Sequence, residues 1–225
     1  MVKKKVYIVT GDDEWLTDIL IKKLAPIFQI TLIKVKSTPF DLSKKLKLII
    51  LIGLIDFFKI LFIQYKNKDY KIIKLKKEYL NNYLKKISTK KIFLVNCPFK
   101  INHNLKNIYN CHPSLLPNYK GLLPIPKSIF DFLINKKKNY FGITIHKINN
   151  NFDSGRIIWN KSINLDLKRN TNMKKIYEFF YKSFFHGLIK ICFSHKINCI
   201  NIKKNKSLKR KITFYEILLL KLKLL

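Results

Sequence analysis

The segment YNCHPSLLPNYKGLLP, residues 109–124, is the least ordinary stretch of this 225-residue chain. It places Asn110 and His112 two residues apart and follows them with three prolines and a glycine, in a sequence otherwise crowded with Lys, Ile and Asn. A strand is predicted over residues 106–112, and alternate residues of a strand project from the same face. The segment therefore indicates either a simple turn or a site at the end of a strand, and its surroundings decide between the two.

Strand and helix patterns alternate along the chain from its start. Helical spacing runs from Trp15 to Leu24 and begins again just after Pro124. Further strands are predicted over residues 5–11, 30–35, 48–53, 91–96, 141–148 and 155–165. This alternation predicts an α/β fold, a Rossmann-like open and mostly parallel sheet with helices on both faces.

The pattern changes after Thr171. One long amphipathic helix is predicted over residues 172–193, and a second helical run covers residues 214–225. We therefore expect a main domain over residues 1–170 and a C-terminal helical extension over residues 171–225 that packs on it. The aromatic face of the long helix leaves a homodimer open as an alternative.

The formal net charge of +33 would by itself suggest nucleic-acid binding. Nearly all the cations are Lys, with Arg only at Arg156, Arg169 and Arg210. Arg is the residue favoured for bidentate contacts with phosphate. We therefore interpret the charge mainly as compositional, spread over solvated faces.

The apolar run LKLIILIGLIDFFKILFI, residues 46–63, has the length of a transmembrane helix, but Asp56 and Lys59 lie within it. A buried strand and a helix separated by Gly53 explain the run as well, so we expect no stable membrane span. Peripheral attachment to anionic lipid stays open. The N-terminus turns acidic after one short apolar run, which is not typical of a signal peptide, and we expect a cytoplasmic protein.

Four scattered cysteines do not suggest a disulfide framework. Cys192, His195 and Cys199 lack a fourth ligand at a spacing that zinc sites use, so no metal site is expected.

A carboxylate follows another predicted strand. Asp153 lies in the turn NNNFDSG just after residues 141–148. Binding sites in open α/β sheets gather at the carboxyl ends of strands. Asn110, His112 and Asp153 would together suit acyl transfer, with His as general acid or base, Asn as a donor to an oxyanion, and Asp orienting the His. Their spacing alone does not establish that they meet.

Two segments resemble the signatures of the folate-dependent formyltransferases. This family includes glycinamide ribonucleotide formyltransferase, the catalytic domain of methionyl-tRNA formyltransferase and the sugar-nucleotide N-formyltransferases. NCHPSLLPNYKG, residues 110–121, resembles its Asn-x-His-Pro-Ser-Leu-Leu-Pro signature, and GITIHKINNNFDSG, residues 142–155, resembles its Gly-x-Thr-x-His strand and Asp-x-Gly loop. The resemblance implies that residues 1–170 form a formyltransferase catalytic domain.

The resemblance also implies a reaction and its residues. The formyl donor would be 10-formyltetrahydrofolate and the acceptor a primary amine, with Asn110 and His112 holding the oxyanion and Asp153 supporting a protonated His112. The implied cofactor-binding residues are a strand end that contacts the pterin, a supporting His and a loop that closes over it: Leu94, Val95, Asn96, His146, Asn149, Asn150 and Asn151.

Departures from the family pattern bear on the acceptor. Glycinamide ribonucleotide enzymes cradle a phosphate in a loop after the first strand, where this chain has Asp12, Asp13 and Glu14, which would repel it. Methionyl-tRNA formyltransferases add a C-terminal domain, for which the residues after Trp159 look too few. We therefore expect a small-molecule amine, with a nucleotide-linked amino sugar as the first choice.

Several alternatives remain open at this point. One is a methionyl-tRNA formyltransferase-like protein without the usual C-terminal domain, which would have tRNA as a partner. Another is a glycinamide ribonucleotide formyltransferase-like enzyme. The others are a hydrolase that releases formate from the same folate, a non-catalytic relative, and a membrane-associated accessory protein that would use residues 46–63.

Overall fold

The computed structural model describes residues 3–11, 14–36, 42–56, 58, 70–102, 104–138, 140–167, 172–194, 199 and 212–224. Seven strands lie in these ranges: β1 (Lys4–Thr10), β2 (Phe28–Lys36), β3 (Lys71–Lys76), β4 (Ile92–Val95), β5 (Ile108–His112), β6 (Gly142–Lys147) and β7 (Ile157–Ser162). The principal helices of the same ranges are α1 (Glu14–Leu24), α2 (Leu42–Ile52), α3 (Lys77–Lys86), α4 (Pro124–Leu133), α5 (Met173–Phe193) and α6 (Phe214–Leu224).

All seven strands form one sheet in the order β3-β2-β1-β4-β5-β6-β7. The strands from β3 to β5 are parallel, whereas β6 is antiparallel to both β5 and β7. The predicted Rossmann-like, open and mostly parallel α/β sheet is therefore confirmed. In the register of the sheet, Asn110 of β5 lies between Leu94 of β4 and His146 of β6.

Apolar side chains fill both faces of the sheet. On one face α1, α2, α4, α5 and α6 pack around residues such as Ile8, Phe180 and Phe184. On the other face, Leu80 and Leu84 of α3 contribute to a smaller cluster. Leu80 and Leu84 are four residues apart, so they lie on the same side of their helix.

Helix α5 lies close to the sheet because it carries a glycine where the two meet. A Cβ atom at Gly187 would lie 2.4 Å from Cε3 of Trp159 and 2.7 Å from Cδ1 of Ile145. Helix α6 begins with a capping box, in which Thr213 and Glu216 bond each other's backbone N–H groups. Both C-terminal helices contribute side chains to the larger apolar cluster.

The prediction of a strand over residues 48–53 is wrong, because this run belongs to α2. A short apolar run without clear periodicity suits a buried strand or a helix equally well. Here Leu51 and Ile52 pack into the larger cluster, and Gly53, with φ +88°, ends the helix by donating its N–H to the carbonyl of Ile49 at 2.8 Å. Residues 59–63 of the predicted membrane-length run lie outside the described residues. Among the helices that are described, none has the length and apolar character needed to cross a membrane.

The sequence analysis missed β3, whose sequence is KIIKLK. Within the described sheet this strand is at the edge and pairs with β2. Its lysines and Ile72 are exposed, and only Ile73 and Leu75 are partly buried. Lysine-rich edge strands are common because the charges discourage pairing with other chains, but they carry a weak apolar signal.

Candidate active site

The candidate site lies between the paired strands β5 and β6, at the carboxyl end of β5. Asn110 and His112 alternate along β5, and His146 of β6 is the register partner of Asn110. The loop after β6 then returns Asp153 to this point. Asp153 has a φ of 50°, in the left-handed region where Asn and Asp are the commonest non-glycine residues.

The structure brings the three predicted catalytic residues together around one oxygen atom. Oδ1 of Asp153 accepts a hydrogen bond from Nδ2 of Asn110 at 3.0 Å and lies 3.4 Å from Nδ1 of His112. Nε2 of His146 is 3.5 Å from the same oxygen. The other carboxylate oxygen, Oδ2, accepts the N–H of Gly121 at 2.8 Å. Three nitrogen-bearing side chains thus converge on a single negatively charged oxygen.

His146 orients the amide of Asn110. Its Nδ1 donates to the carbonyl of Lys147 at 2.8 Å, so a neutral His146 has a bare Nε2, which accepts the second N–H of Asn110 at 3.1 Å. Both amide hydrogens of Asn110 are therefore engaged. Gly155 permits this arrangement, because a Cβ there would lie 1.6 Å from the Lys147 carbonyl oxygen.

His112 is held from both sides and is only 4% exposed. Its Nε2 donates to the carbonyl of Tyr119 at 2.9 Å, while its Nδ1 faces Asp153. Burial lowers the pKa of His112 more than the nearby Asp153 carboxylate raises it. His112 is therefore neutral at pH 7.

Asp153 keeps its charge in the same surroundings. Burial alone would raise its pKa, but His112, His146 and the N–H of Gly121 lower the pKa to about 2. The hydrogen bonds from Asn110 and Gly121 support the carboxylate even while His112 is neutral. The pair at pH 7 is therefore an ionised carboxylate beside an uncharged imidazole.

The loop after β5 is tied back to β6. Thr144 donates its hydroxyl to the carbonyl of Ser114 at 2.7 Å and accepts the N–H of Leu116 at 3.1 Å. Gly142 allows the approach, since a Cβ there would lie 2.4 Å from Cγ of Leu115. Two segments that are about 30 residues apart in sequence are thus joined beside the site.

A cleft opens beside Asn110 and Asp153, with about 410 Å³ of empty space that includes open solvent at its mouth. Of the predicted cofactor-binding residues, five line it: Leu94, His146, Asn149, Asn150 and Asn151. Val95 points into the larger apolar cluster instead, and Asn96, with φ 52°, accepts the N–H of Gly11 through its carbonyl at 3.2 Å. His112 is not among the residues that line the cleft, but it lies 3.4 Å from Asp153, which does.

Sequence reasoning missed the apolar part of the cleft wall, which is formed by Phe99, Ile101, Ile148 and Phe152. The only sequence signal was their position, at or just after the ends of two predicted strands. Cys97 also lines the cleft, and burial raises the pKa of its thiol to about 12, so it is not a nucleophile at neutral pH. Within the described residues no group of His, Cys, Asp or Glu side chains could hold a metal ion, and His195 lies outside them.

The chain matches a known protein family in sequence. The sequence profile described as formyl transferase matches residues 59–182, more than half of the chain, and the chain belongs to this family. The predicted family is therefore confirmed.

Two curated relatives are similar over a shorter segment. The methionyl-tRNA formyltransferase of Caldicellulosiruptor saccharolyticus is 40% identical over 57 residues, and that of Thermotoga neapolitana is 38% identical over 58 residues. These segments cover 25% and 26% of this chain and 17% of each relative.

Solved structures with the same fold extend over nearly the whole chain. A sugar 3N-formyltransferase crystallised in the presence of dTDP and 5-N-formyl-THF superimposes with a TM-score of 0.58 and 19% identity, covering 100% of this chain and 80% of that one. A phosphoribosylglycinamide formyltransferase from Anaplasma phagocytophilum has a TM-score of 0.56 and 13% identity, covering 93% and 100%. At these identities the likeness shows the shared fold.

Proposed function

We propose that this protein transfers a formyl group from 10-formyltetrahydrofolate to the primary amine of a small molecule. The observation that carries the proposal is the convergence of Asn110, His112 and His146 on Oδ1 of Asp153, at distances of 3.0, 3.4 and 3.5 Å, beside an open cleft. Acyl transfer needs a base for the attacking amine and donors for a developing oxyanion, and this cluster has both.

The cleft has the chemical character that a reduced folate requires. Phe99, Ile101 and Phe152 offer apolar surface for flat rings, and Asn149, Asn150 and Asn151 bring amide groups suited to the polar edge of a pterin. Lys100 also lines the cleft and is a cation that would complement the carboxylates of the folate tail. When bound, the folate supplies a formyl group on a nitrogen that can leave. Among the predicted residues, Val95 and Asn96 would contribute through their backbone.

His112 is suited to act as the base through Nδ1. Burial keeps it neutral at pH 7, and Nε2 is already bonded to the Tyr119 carbonyl, so the free lone pair is on Nδ1. Nδ1 would accept the proton that the amine loses as its nitrogen bonds to the formyl carbon, and would return it to the departing nitrogen. Asp153, 3.4 Å away, stabilises the imidazolium in between.

The donors for the oxyanion are Asn110 and protonated His112 in this proposal. Both now face Oδ1 of Asp153, which occupies a place where negative charge is stabilised. A developing oxyanion would share these donors with the carboxylate. The site therefore resembles an oxyanion hole in which a carboxylate is one of two competing acceptors.

A nucleotide-linked amino sugar is the acceptor that we favour. In support, two of the solved structures with this fold are sugar N-formyltransferases, including one from Shewanella sp. FDAARGOS_354 with a TM-score of 0.58 and 18% identity, covering 97% of this chain and 88% of that one. Asp12 and Asp13, which argue against a phosphate-binding loop, lie outside the described residues. The segment shared with methionyl-tRNA formyltransferases favours charged tRNA as the second candidate.

The test is a turnover assay with a panel of acceptors. Purified protein is given 10-formyltetrahydrofolate with dTDP- and UDP-linked amino sugars, glycinamide ribonucleotide or methionyl-tRNA. We expect formylation of one sugar nucleotide and a loss of about 10²- to 10⁴-fold in kcat for His112→Ala. Formylation of methionyl-tRNA alone would select the second candidate. Absence of any turnover that depends on His112 would refute formyl transfer itself.

A further inference from the structure

We infer that Tyr119 is a positioning residue for the proposed formyl transfer, because its carbonyl oxygen holds His112 in the tautomer that leaves Nδ1 free to act as the base. This inference rests on the proposed function for its catalytic meaning. The tautomer itself is a property of the folded chain that can be measured without any substrate.

The geometry around His112 determines where its proton lies. A carbonyl oxygen only accepts hydrogen bonds, so the 2.9 Å contact between Nε2 and the Tyr119 carbonyl requires a proton on Nε2. A neutral imidazole carries one proton, and Nδ1 is therefore bare. Nδ1 is also the nitrogen on the side of the cleft, since Asp153 and Asn110 line the cleft and Nδ1 is the atom that faces Asp153.

Two acceptors compete for that single proton. An ionised carboxylate attracts an N–H more strongly than a peptide carbonyl, so Asp153 alone would draw the proton to Nδ1 and block the base. However, Oδ1 of Asp153 lies at 3.4 Å and already accepts an N–H of Asn110, whereas the Tyr119 carbonyl lies at 2.9 Å. The Tyr119 carbonyl is therefore the interaction that keeps Nδ1 unprotonated.

Several contacts hold this carbonyl in place. Tyr119 has a φ of 51°, a left-handed conformation that an aromatic residue rarely adopts, and its side chain is 1% exposed. The ammonium of Lys127 lies 5.8 Å from the ring centroid. The hydroxyl of Ser114 donates to the Asn118 carbonyl at 2.9 Å and lies 3.4 Å from the Tyr119 carbonyl. The buried ring thus anchors a backbone turn whose carbonyl faces His112.

The Tyr119 ring could also stabilise the loop without any effect on the tautomer. Imidazole nitrogen spectra separate the two roles, because protonated and bare ring nitrogens differ widely in ¹⁵N chemical shift. The chain has five histidines, so its imidazole spectrum is simple, and the His112 signals are assigned by their loss in His112→Gln.

The first measurement uses the full-length wild-type chain with ¹⁵N-labelled histidine near pH 7. We expect a protonated Nε2 and a bare Nδ1 for His112. A protonated Nδ1 in the neutral form would overturn the inference. This spectrum needs no turnover, so a correct tautomer in a protein without formyltransferase activity would refute the proposed function and leave the tautomer assignment intact.

Two variants test the role of Tyr119. Tyr119→Gly tolerates the positive φ but removes the buried ring, whereas Tyr119→Phe keeps the ring and serves as the matched control. We expect Tyr119→Gly to populate the Nδ1-protonated tautomer and to lose about 10- to 100-fold in kcat, less than removal of the base, with KM for the folate unchanged. The dependence of kcat on pH should also differ between Tyr119→Gly and the wild type. Charge interactions among His112, His146, Asp153 and Lys120 contribute to this dependence.

Tyr119→Phe should match the wild type in both spectrum and kcat. A folded Tyr119→Gly protein with the wild-type tautomer and kcat would overturn the positioning role. If that variant does not fold, the wild-type spectrum still decides the tautomer. Ser114→Ala then replaces it in the kinetic comparison, because it removes the hydroxyl that donates to the neighbouring Asn118 carbonyl and lies 3.4 Å from the Tyr119 carbonyl.

Discussion

Replacing Asp153 with Asn removes the negative charge that the N–H groups of Asn110 and Gly121 stabilise. The pKa of Asp153 falls from an ordinary value of 3.8 to about 2 in the folded chain. That difference of about two pKa units corresponds to roughly 2 kcal/mol of folding free energy at neutral pH. Asn suits the backbone because it tolerates the left-handed φ of 50° at this position.

The sign of the effect follows from the direction of the shift. A carboxylate whose pKa is lower in the folded than in the unfolded chain stabilises the fold above the unfolded pKa, and this stabilisation disappears as the pH falls through the folded pKa. The gap in unfolding free energy between wild type and Asp153→Asn should therefore be largest above about pH 5 and should narrow by roughly 1 kcal/mol at about pH 3.

Urea unfolding followed by circular dichroism at both pH values measures this gap. Glu78→Gln is the control, because Glu78 is an exposed carboxylate on α3, outside the site, and its gap should change less between the two pH values than that of Asp153→Asn. The comparison of gaps cancels the general effect of acid on a chain with a net charge of +33. A gap for Asp153→Asn that is the same at both pH values would refute the shared-charge description of the site.

Three further predictions concern packing and binding. Gly155→Ala should lower the free energy of unfolding measured in urea by at least about 2 kcal/mol and abolish turnover, because its Cβ would lie 1.6 Å from the Lys147 carbonyl oxygen that orients His146. Near-native stability would contradict the close approach of Gly155 to Lys147. Gly187→Ala should lower the free energy of unfolding by about 1–3 kcal/mol, because its Cβ would clash with Trp159, and KM for the folate should be unchanged. A change in KM without a change in stability would contradict the packing of α5 described above. Phe152→Ser should weaken binding of a folate analogue about tenfold in a fluorescence titration without loss of stability, since Phe152 lines the cleft and is 60% exposed. Phe179→Ser is its control, because Phe179 is 49% exposed and lies on α5. Equal loss of binding in both variants would contradict binding of folate in the cleft.

Most strands could be predicted because their apolar runs are buried on both faces of the sheet. β4, with the sequence IFLV, has no polar residue to obscure the pattern, and all four of its residues are buried. β3 was not predicted, because an edge strand needs few apolar residues and therefore has a weak apolar pattern. The run in α2 was misassigned because a short, uniformly apolar segment has no period, and only its packing against the other helices makes it helical.

The candidate site was also predicted only in part from the sequence. Asn110, His112 and Asp153 could be predicted from the sequence because two signature segments carry distinctive residues at characteristic spacings. The apolar cleft wall was not, since Phe99 and Ile101 look like ordinary core residues until the cleft is seen.

The sequence by itself determined the alternating α/β architecture, the family and the three residues around which the site is built, since each depends on local pattern or residue identity. The tertiary structure decided which atom of each residue is available. Bonds to the Tyr119 and Lys147 carbonyls set the tautomers of His112 and His146, and the amide of Asn110 is taken by His146 and Asp153. Hydrogen-bond direction depends on backbone angles and on contacts between residues more than 30 positions apart, such as Gly121 and Asp153, and no local pattern encodes these.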